Sequence, residues 1–144
     1  MSRSSRSVQT LFPVVLAVSL TACSWLPVPP VPGGDPAVLS PARTATTWTD
    51  THGGTLELKP NGAIAADNVC GSPDDDAGRN VVRSGAGTWV ASDFKGQTTV
   101  YASFDNSDSF TSYQALRDGS TLKLWIYIGD PDNGKLCVLS APAR

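Results

Sequence analysis

From residue 44 onward the chain alternates between β-favouring runs and turn clusters. The clearest run is 121–128, where Leu122, Leu124, Ile126 and Ile128 share one parity and Lys123, Trp125 and Tyr127 the other. Successive strand residues point to opposite faces, so this spacing predicts a strand with one face in a core. Leu56 with Leu58, and Val100 with Ala102 and Phe104, repeat the pattern. Taken in order, the runs 46–51, 55–59, 63–69, 85–91, 98–104, 113–117, 121–128 and 135–140 predict eight short strands. Between them stand His52-Gly53-Gly54, Pro60-Asn61-Gly62, Asp93-Phe94-Lys95-Gly96, Asp118-Gly119 and a turn at 130–134. Asn-Gly between two such runs is a strong hairpin signal, because both positions accept positive φ. One longer loop, 70–84, carries Asp74, Asp75 and Asp76. No stretch of helical length has a 3.6-residue period. The predicted fold is all-β: an antiparallel meander closing as an up-and-down barrel, with a two-layer sandwich as the alternative.

The N-terminal part obeys a different pattern. Residues 1–10 are polar and hold Arg3 and Arg6 with no acid, and residues 11–20 form a largely apolar run with Pro13 early in it. A bilayer-spanning helix needs ~20 apolar residues, so the run reads as an export signal. It ends in Leu20-Thr21-Ala22-Cys23, which resembles the lipobox of bacterial lipoproteins. That resemblance implies cleavage between Ala22 and Cys23 and a thioether-linked diacylglycerol on Cys23. Two acyl chains on one residue hold a protein stably on a membrane where one chain does not. The mature protein is therefore expected on the extracytoplasmic face of the cell membrane, anchored without spanning it. Between Cys23 and the β region lie Pro27, Pro29, Pro30, Pro32, Pro36 and Pro41, with Gly33-Gly34 among them. Proline at this density favours extended polyproline II, and the segment reads as a spacer holding the domain off the surface. The expected organisation is a signal peptide at 1–22, a lipidated cysteine and tether at 23–43, and a β domain at 44–144.

Composition narrows the chemistry. Eleven Lys+Arg against 13 Asp+Glu leave a formal charge of −2, which lacks the basic stripe that nucleic acid requires. Three cysteines and one histidine exclude most metal centres. With Cys23 committed to lipid, Cys70 and Cys137 remain as an even pair, and in an exported domain pairing is the default. His52 stands in a Gly-rich turn, and no Gly-x-Ser-x-Gly elbow accompanies it. The acidic residues at 74–76, Asp105, Asp108, Asp130 and Asp132 have oxygen ligands suited to calcium. They miss the spacing of a calcium loop and read as turns. Glu57 and an aspartate could in principle form a glycosidase pair, yet Glu57 lies on the polar face of a short strand. No catalytic constellation, cofactor or metal site is expected.

An aromatic feature remains. Trp125 and Tyr127 project opposite the aliphatic row of their strand, and Tyr101 is placed to join them from a neighbour, a candidate surface for an envelope protein or a glycan. The ordered residues Trp48, Gly54, Leu56, Leu58, Asn61-Gly62, Gly87-Thr88-Trp89 and the stretch from Trp125 to Asp132 resemble a family of small actinobacterial exported lipoproteins of unknown function. The resemblance covers roughly residues 46–140 and implies a lipocalin-like barrel layout, with no activity attached. Two functional expectations follow: a non-catalytic binding module of the envelope, or a lipocalin-like carrier of a small apolar ligand inside the barrel. A carrier needs a cavity, and Trp48, Trp89, Phe104 and the aliphatic row leave little room for one.

Overall fold

A computed structural model describes residues 28–71 and 81–143. The expected signal sequence, the lipobox with Ala22 and Cys23, and the acidic triplet 74–76 lie outside the described residues. The elements are β1 (Asp35–Pro36), a one-turn helix α1 (Pro41–Thr44), β2 (Thr47–Thr49), β3 (Thr55–Leu58), β4 (Ala63–Asp67), β5 (Gly85–Phe94), β6 (Gln97–Phe104), β7 (Phe110–Asp118), β8 (Thr121–Tyr127) and β9 (Leu136–Pro142).

Strands β2 to β9 pair antiparallel in sequence order, and β9 returns to β2 through Thr49 and Ser140. The eight strands therefore close into the up-and-down barrel expected from the alternation, and the sandwich alternative is not adopted. Closure leaves the barrel without a full-length sheet edge. The interior is filled by the predicted parity: Leu56 and Leu58 from β3, Val100, Ala102 and Phe104 from β6, Leu122 and Leu124 from β8, with Trp48 and Tyr113 the largest side chains. An eight-stranded barrel has an interior just wide enough for side chains.

Because the strands alternate in direction, their connections sort to two ends. Residues 50–54, 68–71, 81–84, 105–109 and 128–135 make one end, here the upper. Residues 59–62, 95–96 and 119–120 make the lower end, which α1 approaches ahead of β2. At the upper end Cys70 and Cys137 form the expected disulfide, with Cα atoms 5.5 Å apart. Asp50 is buried beside it. Its carboxylate accepts N–H bonds from His52 at 2.7 Å and Gly54 at 2.9 Å, and a third from Cys70. One acid thus ties the β2–β3 turn to the disulfide, in the manner of an Asx turn extended across the barrel mouth.

The proline-rich stretch departs from the expected spacer, and the packed domain begins well before residue 44. Asp35 and Pro36 pair with Arg117 and Leu116 of β7. Ala37 N–H donates to the Ala115 carbonyl, Thr98 N–H donates to the Ala37 carbonyl, and Leu39 N–H donates to Thr98 Oγ1. Ala37 and Leu39 belong to the core, and Trp48 Nε1 donates to the Thr44 carbonyl at 3.1 Å. Backbone bonds supply the attachment, and these do not require the apolar periodicity that marks the barrel strands.

Tyr113 sits at the centre of the packing with its hydroxyl unpartnered among the described residues. Burial disfavours the phenolate and raises its pKa far above the ordinary tyrosine value. A raised pKa in the folded state gives stability that is full below the unfolded value of ~10 and falls as pH climbs beyond it. Tyr113→Phe should remove that component of alkaline destabilisation. At neutral pH it should leave stability unchanged or raised by ~1 kcal/mol, since the lost hydroxyl bonds nothing. Denaturant titrations at neutral pH and above pH ~10 test both halves. Identical alkaline slopes in the two proteins would refute the assignment.

Candidate functional site

The closure is uneven at the lower end between β4 and β5. Their ladder stops at the pair of Ala63 with Thr88, and among the described residues one further bond runs from Trp89 N–H to the Gly62 carbonyl at 2.8 Å. Strand β5 continues to Phe94, still paired on its other side with β6. Backbone groups of alternate strand residues point the same way. Ala91 and Asp93 therefore direct their N–H and C=O groups to the side that Trp89 N–H faces, where no barrel strand lies beside them.

Beside this short open edge lies a cleft of about 350 Å³ lined by Leu39, Pro41, Pro60, Trp89, Ala91 and Asp93, among others. An adjoining cleft of about 380 Å³ shares Pro41, Pro60 and Trp89 and adds Ala42 and Ala45. Trp89 stands where the two meet. Its position on β5 gives it the inward parity, but the ladder of β4 ends next to it, so the indole is only half-buried. Its Nε1 donates to the Lys59 carbonyl at 2.9 Å, which fixes the ring against the 59–62 turn. Asp93 is the only ionisable group among the lining residues of the first cleft, and its carboxylate accepts a hydrogen bond from Thr98 Oγ1. Thr44 Oγ1 is turned back onto the Ser40 carbonyl at 3.0 Å. What the cleft offers is an apolar trough, one fixed indole and unpaired strand backbone.

On the outer face next to it, β5 carries Val90 and Phe94 at 65% and 70% exposure. Tyr101 on β6 and Phe110 on β7 continue the face as an edge-to-face pair with centroids 6.0 Å apart. The interleaved outward residues Thr88, Ser92, Thr99, Ser103, Ser112 and Gln114 are uncharged.

The three aromatic residues singled out in the sequence are not brought into one open patch. Tyr101 is exposed beside Phe110. Trp125 and Tyr127 form their own edge-to-face pair, with centroids 5.1 Å apart, on β8. Trp125 is only 6% exposed, so it offers no free surface. The N-terminal segment runs over this face: Lys123 Nζ donates to the Gly33 carbonyl at 3.0 Å, and Pro30 lies against Gly134. His52 lies at the upper end in its turn, within 3.4 Å of Thr51 Oγ1, far from the cleft in the topology. Asp130 and Asp132 are used in the 3-10 turn Pro131–Asn133, where Asp130 Oδ1 accepts from Asp132 N–H. Among the described residues no group of three or more His, Cys, Asp or Glu side chains converges as a metal site.

Sequence reading placed Trp89 inside the barrel and so passed over the cleft. The signal that bears on it is modest: β5 outruns β4, and prolines at 41 and 60 bracket the tryptophan. Comparison with protein-family models, with curated proteins and with solved structures finds no match to this chain.

Proposed function

We propose that this protein is an extracytoplasmic, lipid-anchored binding module without catalytic chemistry, and that it captures an extended polypeptide segment at the lower-end cleft. Membership of the exported lipoprotein family belongs with this reading. The observation that carries the site is the unpaired edge of β5 at Ala91 and Asp93 beside a fixed, half-exposed Trp89. Strand addition supplies affinity through main-chain bonds, and an apolar trough selects alternate side chains of the added strand. With Asp93 the one ionisable residue lining the first cleft and uncharged residues along the neighbouring outer face, the site favours a partner with apolar residues at alternate positions. A carrier of a small apolar ligand has less support, because Trp48, Tyr113, Leu56, Leu58, Leu122, Leu124 and Leu139 occupy the barrel interior.

A library of end-capped hexapeptides with alternating apolar residues is the probe. Tight binders should quench or shift Trp89 fluorescence. Trp89→Ala should weaken them by ~30-fold or more, the loss of a central aromatic anchor worth ~2 kcal/mol. Ala91→Pro removes one edge N–H without touching the β5–β6 ladder, and proline is tolerated on such an edge. That variant should fold normally and lose peptide binding. Unchanged affinity in Ala91→Pro would end the strand-addition reading.

A further inference from the structure

We infer that the N-terminal strap fixes how the barrel stands on its membrane: the upper end faces the lipid surface and the cleft end faces outward. This rests on lipid anchoring at Cys23, as proposed above. The strap begins where Pro30 touches Gly134, in the β8–β9 connection at the upper end. It then crosses the outer face of β8, where Lys123 Nζ holds the Gly33 carbonyl. Near the lower end it is locked against β7 by the pairing of Asp35 and Pro36 with Arg117 and Leu116. Gly34 makes that lock possible. With φ at +127°, it lies so close to β7 that a Cβ would stand 2.8 Å from the Arg117 carbonyl oxygen.

The chain that leaves the strap is short. Val28, 88% exposed, is the first described residue, and the steps from Cys23 to it span at most ~18 Å even fully extended. A free spacer from Cys23 to residue 43 would let the barrel tumble at any orientation. With the strap locked down, the anchor can reach only the region around the upper end of β8. The cleft lies at the other end of the barrel and on the other wall. In the closed order β8 stands four strands from β4, so the two are opposite, and Trp89 sits at the lower end of the β4–β5 junction. The geometry points the peptide-binding edge away from the bilayer, toward extended segments of neighbouring envelope proteins.

Electrostatics sets the distance. Among the described residues the upper-end connections carry Asp50, Asp105, Asp108, Asp130 and Asp132 against Arg83 and Lys135, an acidic excess. Acidic groups near anionic headgroups are repelled over a Debye length of ~8 Å at physiological salt. The linker can exceed that length, so the upper end faces the membrane at a stand-off and does not lie embedded in it.

The test uses the full-length chain matured in an exporting bacterium, purified with its anchor and reconstituted into phosphatidylcholine–phosphatidylglycerol vesicles containing an acceptor-labelled lipid. Donor dyes are placed singly at Asp132→Cys in the upper end and Lys59→Cys in the lower end, labelled with the native disulfide intact. Energy transfer to the headgroups should be at least about twofold higher from position 132, since the strands between the two ends rise ~3.3 Å per residue. Equal transfer, or greater transfer from position 59, overturns the orientation. Gly34→Val, which forces the strap off β7, should erase the difference while the barrel stays folded by circular dichroism; a persistent difference also overturns it. Vesicle flotation reports separately on the anchor. Wild type that fails to float, or Cys23→Ala that floats equally well, refutes lipid anchoring itself, whereas flotation with equal transfer refutes only the orientation.

Discussion

Cys70→Ser is expected to lower the melting temperature of the oxidised protein by on the order of 15 °C, the result of losing ~4 kcal/mol from a domain of about a hundred residues. The bridge spans 67 positions, and in the chain-entropy model a loop of this size constrains the unfolded ensemble by about that amount. Typical domains have only ~5–15 kcal/mol of net stability, so the loss is a large share. The effect should exceed the loop term alone, because the residue is bonded through its backbone as well. Cys70 N–H donates to the buried Asp50 carboxylate, and Cys70 itself has φ near +50°. The bridge holds that conformation, and the carboxylate also organises the β2–β3 turn through His52 and Gly54. Loosening Cys70 therefore exposes one end of the barrel. Scanning calorimetry of wild type and variant, each with and without reductant, separates the contributions. Reductant should lower wild type toward the variant and leave the variant unmoved. Equal melting temperatures under oxidising conditions would show that the bridge contributes no stability.

The barrel was legible in the sequence for a physical reason. Each strand has one buried and one wet face, and a period of two records that directly in Leu122, Leu124, Ile126 and in Val100, Ala102, Phe104. The turns were legible because Asn-Gly and Asp-Gly solve the backbone problem of a tight hairpin. The N-terminal strap was not, since Pro36 and Ala37 are held by main-chain bonds to β6 and β7, and Leu39 by its N–H to Thr98 Oγ1, none of which leaves a period in the sequence. Trp125 misled for a related reason: its parity pointed outward, and nothing in its own strand reveals that the residue is buried or that the segment at 30–36 returns against Lys123 and β7. The cleft was hidden by a relation between two strands. That β5 runs to Phe94 while β4 pairs it only to Thr88 depends on where each ladder stops, which neither strand encodes alone. The disulfide was legible by parity of count, Cys23 being assigned elsewhere, and its coupling to Asp50 was not.

Gly87→Val should be the most damaging single change in the barrel wall, preventing formation of a native β5–β6 ladder. Gly87 pairs with Phe104 and lies on the inward parity of β5. A Cβ built there would stand 2.0 Å from the Ser103 carbonyl oxygen and 2.8 Å from Phe104 Cα. Both are backbone atoms of a paired strand, so no side-chain rotamer can relieve the contact. Glycine within a strand marks a sharp bend or a close backbone approach, and this approach lets β5 curve around Phe104 as the wall closes. Overpacking of a well-filled core costs ~1–3 kcal/mol where neighbours can shift, and here the shift would have to move the ladder that joins β5 to β6. The cost should therefore exceed that range and leave little folded protein at 37 °C. Gly87→Ala already carries the clashing Cβ and should bear most of this loss, and a stability series through Gly, Ala and Val should fall monotonically. The same ladder carries Trp89 two residues on, so the alanine variant should also weaken peptide binding at the cleft. Native-like stability in Gly87→Val would mean that β5 and β6 do not approach as closely as this barrel requires.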